Sequence, residues 1–242
     1  MKKTTQIALA CALSIGAAAP ALAQSEVSYN IGVVSLYKSS GVDQHNKQID
    51  ATAKSMRPEL QGGFDIDFGN GFYAGNWNST GRFSDANLEI DLYAGYAGEM
   101  GPLGYDAGVA TYYYPNNNTV DGWNGTEVYG SLTYGVATLK MTYGTAGFNN
   151  TENKAKSRYS LTVAQPINEK LTAKFVYGDR NTAAGGYYDY AVGADYDLGD
   201  GLTVSGTYSA ASDKGQDASN SDGANAIAAR KGRLVVGFSK SF

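Results

Sequence analysis

Twelve stretches of this chain alternate between two kinds of side chain with a period of two. They lie at roughly 27–37, 58–68, 71–79, 86–97, 102–114, 126–134, 136–145, 157–165, 170–178, 187–198, 201–210 and 232–242. A period of two belongs to a β-strand whose faces meet different surroundings. In the fourth stretch Ala86, Leu88, Ile90, Leu92, Ala94 and Tyr96 oppose Asn87, Glu89, Asp91 and Gly95. In the tenth, Tyr188, Tyr190, Val192, Ala194, Tyr196 and Leu198 oppose Asp189, Gly193, Asp195 and Asp197. Each stretch has about the length a tilted strand needs to cross a hydrocarbon core, ~9–11 residues. The pattern predicts an all-β fold, a transmembrane antiparallel up-and-down β-barrel of twelve strands.

The connections support the same architecture. Long ones at 38–57, 115–125, 146–156, 179–186 and 211–231, with a medium one at 80–85, alternate with tight turns at Asn70, Met100, Gly135, Pro166 and Gly199. Short periplasmic turns and longer extracellular loops are the habit of outer-membrane barrels. A secreted β-sandwich has no reason to sort its loops this way. An even strand number also lets both termini lie on one side.

The N-terminus reads as an export signal. Lys2 and Lys3 form a charged start, Ile7 to Ile15 an apolar run, and Ala21-Leu22-Ala23 a cleavage site. The division expected is therefore a cleaved signal at 1–23 and a barrel at 24–242. The mature part loses Cys11, the one cysteine, so no disulfide or thiol chemistry is expected. It also loses two lysines (19 − 2), leaving 17 basic against 23 acidic residues, a net charge of −6. An acidic chain is a poor partner for nucleic acid. Lipid-facing residues are diluted by lumen and loop residues in a barrel, so low mean hydropathy does not argue against one.

The last stretch, GRLVVGFSKSF, places Leu234, Val236, Phe238 and Phe242 on one face. A terminal aromatic strand resembles those of bacterial outer-membrane barrels, in which Phe238 and Phe242 would serve as the assembly signal. Lys240 departs from the apolar residue usual there. A more specific resemblance rests on Pro58, Gln61, Gly62 and Gly63, followed by Gly71, Phe72, Tyr73, Gly75, Trp77 and Ser79. It continues in Ile90-Asp91-Leu92-Tyr93 with Gly95 and Tyr96, in Tyr112-Tyr113-Tyr114-Pro115, and in Glu127-Val128-Tyr129. These blocks resemble the TorF family of outer-membrane porins. Ser40 stands where that family usually carries an arginine. The resemblance implies a porin-like barrel and no particular solute.

The expected function is passive diffusion of small hydrophilic solutes through the bacterial outer membrane. The polar faces supply pore candidates: the acids Asp65, Glu89, Asp91, Asp106, Glu127, Asp189 and Asp195, and the bases Lys140, Arg158, Lys174 and Arg233. Carboxylates in the majority favour cations or neutral solutes. The competing expectation is that such charges pair across the lumen and only hold it together; Asp67 and Asp197 lie beside turns, where solvation suffices. Tyr73, Trp77, Tyr96, Tyr105, Tyr113, Tyr188 and Tyr208 are expected in an interfacial aromatic girdle. Tyr93, Tyr112, Tyr129 and Tyr187 are the alternative, a sugar-stacking track. Expected partners are membrane lipid and lipopolysaccharide, the barrel assembly machinery with periplasmic chaperones, and the solute. A homo-oligomer stays open, and no cofactor or metal is expected. The one histidine, His45, sits in a loop without a nucleophile and orienting partner, so the chain is not expected to be an enzyme. A filled barrel acting through its outer loops is the rival function.

Overall fold

A computed structural model describes residues 25–44, 56–83, 86–116, 124–147, 157–182, 185–213 and 230–242. His45 and residues 1–23, read above as an export signal, lie outside the described residues. Fourteen strands follow in chain order: β1 (Glu26–Val34), β2 (Lys38–Ser39), β3 (Val42–Asp43), β4 (Glu59–Asp67), β5 (Phe72–Phe83), β6 (Ala86–Met100), β7 (Leu103–Tyr113), β8 (Gly125–Tyr134), β9 (Ala137–Gly147), β10 (Ser157–Pro166), β11 (Leu171–Thr182), β12 (Gly185–Gly199), β13 (Leu202–Asp213) and β14 (Arg233–Ser241). Twelve of them, β1 and β4 to β14, close into one antiparallel barrel, each beside its sequence neighbour. The short β2–β3 hairpin stands apart from the wall.

The seam forms between β1 and β14, with Asn30 opposite Ser241 and Val34 opposite Gly237. Backbone bonds between Tyr29 and Phe242 finish it. Closure leaves no open strand edge in the barrel. Lys240 lies on the outer face and reaches the carbonyl of Asp200 in the neighbouring turn. Its charge thus meets a backbone dipole at the barrel rim.

Two connections are shorter than expected. β5 continues to Phe83 and β6 starts at Ala86, where a loop at 80–85 was expected. Likewise β11 runs to Thr182 and β12 starts at Gly185. Ladder pairing persists there, Phe83 with Ala86 and Thr182 with Gly185, because strand pairing continues past the apolar stretch.

Pairing register fixes which face each residue takes. The outer face carries exposed apolar side chains such as Val27, Ile31, Leu60, Leu92, Leu139, Phe175, Val192 and Leu234. Tyr96, Tyr105, Tyr113, Tyr188 and Tyr208 share that face, all at least 36% exposed.

Tyr73 and Trp77 depart from the girdle expectation. They are 4% and 7% exposed and belong to the buried aromatic cluster. On β5, Tyr73 and Trp77 point inward while Asn76 and Asn78 point outward. The physical reason lies in the partners. Trp77 is paired with Asp91 and Tyr73 bonds Asp106, both inward groups. The two outward amides satisfy each other, at 3.2 and 2.5 Å, and bond the carbonyls of Asp91 and Gly62.

The abundance of Gly and Tyr has a packing explanation. The ring of Tyr93 lies against Gly75, and that of Tyr73 against Gly95, so closely that a Cβ there would overlap the ring. Each pair sits side by side on neighbouring strands. A glycine gap beneath each ring lets bulky tyrosines line a narrow interior.

Candidate functional site

The interior is divided into two sectors by charge. The inner face of β4 to β8 carries Glu59, Asp65 and Asp67 on β4, Glu89, Asp91 and Glu99 on β6, Asp106 on β7 and Glu127 on β8. Among the described residues, that stretch of inner face has no Lys or Arg. The inner face of β9 to β14 carries Lys140, Arg158, Lys174, Arg180 and Arg233 against Asp189, Asp195 and Asp197.

The two sectors are satisfied by different chemistry. On the acidic side, tyrosine hydroxyls donate to carboxylates. Tyr93 Oη donates to Asp65 at 2.5 Å, Tyr73 Oη to Asp106 at 2.6 Å, Tyr112 Oη to Glu127 at 2.8 Å and Tyr114 Oη to Glu89 at 2.5 Å. Tyr73 and Tyr129 share a further hydroxyl contact of 2.5 Å. A hydroxyl bond stabilises a carboxylate but does not cancel its charge.

On the other side, cations meet anions directly. Arg158 grips Asp189 with two bonds, Nε to Oδ2 at 2.9 Å and Nη2 to Oδ1 at 2.6 Å. Lys174 pairs with Asp195. The first pair reaches from β10 to β12 across β11, directly over Gly178. Lys140 leans toward the acidic sector, with its ammonium 4.3 Å from the centre of the Tyr129 ring.

The β2–β3 hairpin enters the mouth at the end opposite the tight turns. Tyr37 packs on Trp77 at a ring separation of 5.5 Å and edge-on against Phe83 at 6.3 Å. Across the opening, Gly41 lies against the backbone of Ala210 and Ser40 Oγ accepts from Arg180 Nη2 at 3.3 Å. Lys38 donates to the carbonyl of Lys231 at 2.7 Å. The hairpin thus touches β5 on one side and β11 and β13 on the other, spanning the mouth. Burial pulls the Lys38 ammonium down to about 8; Asp43 opposes that shift and Arg233 adds to it.

The register brings all eleven polar pore candidates to the inner face. Tyr93, Tyr112, Tyr129 and Tyr187 share it. The hydroxyls of Tyr93 and Tyr112 are engaged by carboxylates, and Tyr187 has the guanidinium of Arg230 5.0 Å from its ring centre. Sequence reasoning missed Glu59 and Arg180, which share the inner face, and the inward hairpin. The parity of Glu59 with Asp65 and of Arg180 with Lys174 was a usable signal for the first two. No local signal marks the hairpin, because its contacts lie far away in sequence.

Residues 17–242 match the model of a family described as "Bacterial protein of unknown function (Gcw_chp)". The chain belongs to the Gcw_chp family. No curated protein sequence matches this Gcw_chp chain. Its fold is similar to that of solved porins. A structure described as "KdgM porin in complex with disordered oligogalacturonate" matches with a TM-score of 0.57 and 11% identity, covering 90% of this chain and 99% of the other. A NanC porin structure matches with a TM-score of 0.52 and 13% identity, covering 90% and 99%. At such identities the likeness speaks for the fold.

Proposed function

We propose that this Gcw_chp protein is a non-enzymatic outer-membrane channel for passive diffusion of small hydrophilic solutes, favouring cations and neutral molecules. A closed barrel with an apolar outer wall and a charged interior supports the membrane setting. The observation that supports the preference is the excess of carboxylates on the inner face of β4 to β8, where no Lys or Arg stands among the described residues. Rings and rows of carboxylates attract cations in a confined path. The quoted motifs support placing the chain with the TorF porins. One of the similar structures is described with oligogalacturonate, a carboxylate-bearing oligosaccharide. The acidic sector here opposes an anion of that kind. Membrane lipid, lipopolysaccharide and the assembly machinery are the partners this setting implies.

Reversal potentials of the purified protein in planar bilayers under a salt gradient test the reading. A cation-selective potential is expected, and clear anion selectivity would sink it. The hairpin across the mouth favours a second reading, a filled barrel that binds partners at its outer surface. Liposome swelling separates the two, since a filled barrel admits no sugar or amino acid.

A further inference from the structure

The acidic sector holds one place where the pairing scheme fails. Glu89 is 3% exposed and Asp91 lies two residues along the same inner face of β6. Glu89 Oε2 and Asp91 Oδ1 are both buried and have no hydrogen-bond partner. Two buried carboxylate oxygens left bare on one strand face are costly. Such a place is built for something positive.

The surroundings narrow down what fits. Trp77 sits directly across from Asp91 on β5, and Tyr112 across from it on β7. Tyr37, just before the hairpin, packs on Trp77, and Tyr114 donates its hydroxyl to Glu89 Oε1. Aromatic faces beside carboxylates attract organic cations. A calcium ion takes six to eight oxygen ligands. Among the described residues, no group of three or more His, Cys, Asp or Glu is arranged to hold a metal. A primary ammonium group needs few acceptors, because it has three N–H donors.

We propose that Glu89 and Asp91, walled by Trp77 and Tyr37, form a binding site for the primary ammonium group of a small amine solute. The inference rests on the channel reading and names a solute class for it. Two N–H groups donate to Glu89 Oε2 and Asp91 Oδ1, and the indole covers the charge. Asp91 is only partly buried, so the amine approaches from the lumen.

The test uses the full barrel folded in lipid and carrying Trp123→Phe, which leaves Trp77 as its sole tryptophan. n-Butylammonium is titrated at constant ionic strength while Trp77 fluorescence is read. A saturable change is expected, weaker by about tenfold or more for tetramethylammonium, which cannot donate. The change should vanish in E89Q/D91N. Three results would overturn the site: no saturable change, an equal response to tetramethylammonium, or an equal response to calcium. Retention of the signal in a folded E89Q/D91N barrel would do the same. If that variant does not fold, the tetramethylammonium comparison decides alone. Binding without bilayer conductance would refute the channel and keep the site; conductance without binding would do the reverse.

Discussion

Replacing Arg158 by Met isolates a two-bonded ion pair in the wall. Asp189 is 2% exposed and both its oxygens are held by Arg158. Removing the guanidinium leaves a buried, uncompensated carboxylate, which costs about 3–5 kcal/mol. Replacing both partners, as R158M/D189L, removes the stranded charge and should come within about 1 kcal/mol of the original protein. With D189L as the other single change, the coupling in the double-mutant cycle is then at least about 2–4 kcal/mol, far above the ~0.5 kcal/mol expected for independent sites. Gly178→Ala perturbs the same contact from below, since a Cβ there would sit 2.6 Å from Arg158 Nη2. Displacing a packed group in this way costs about 1–3 kcal/mol. Urea unfolding in lipid vesicles, followed by tryptophan fluorescence, reads the original protein, R158M, D189L, the double variant and Gly178→Ala. For a slope of about 1–3 kcal/mol per molar, R158M shifts the midpoint by about 1 M or more. If R158M unfolds with the original protein, or if the two single changes simply add, the pair does not stabilise the wall.

Three further predictions follow from the mouth and the acidic sector. Lys38 is about nine-tenths charged at pH 7 and about one-tenth at pH 9, given its value of about 8. Cation over anion permeability should therefore rise across that window and stay flat in Lys38→Met; an unchanged ratio in the original protein refutes it. Its lowered folded value also means the unfolded chain binds more protons between about 8 and 10.5, so Lys38 makes stability rise over that range. Shortening the hairpin by joining Tyr37 to Gln44 through two glycines should raise single-channel conductance, because the bridge across the mouth is gone. Equal conductance would show that current bypasses the hairpin. Tyr73→Phe removes the donor to Asp106 and the contact with Tyr129, and should cost about 1–3 kcal/mol in the same urea assay.

The barrel was legible because its signal is local. Alternation in β6 and β12 is read from consecutive residues, and their inward acids follow from parity alone. β5 was misassigned for its aromatics because Tyr73 and Trp77 look like interfacial residues in isolation. Only their bond to Asp106 and pairing with Asp91, 33 and 14 positions away, reveal the inward choice. The strand extensions to Phe83 and Thr182 escaped because their sequence has turn residues, Gly81 and Asn181, while their ladders continue. The hairpin escaped for the same reason on a larger scale: Ser40 meets Arg180 only 140 positions later. Long-range pairing of that kind leaves no periodic trace.

The hairpin also bears on the order of assembly. It begins just past the seam, where Ser35 accepts a bond from the Val236 amide through its side chain and donates its own amide to the Val236 carbonyl. Its seats on Arg180 and Ala210 belong to β11 and β13, far along the chain from β1. An unclosed sheet brings β1 near β4 but nowhere near those seats. Zipping β1 to β14 is therefore the event that delivers the hairpin to its second wall. Docking of the hairpin then serves as a built-in marker of a finished barrel, and a seam left open leaves the mouth unspanned as well.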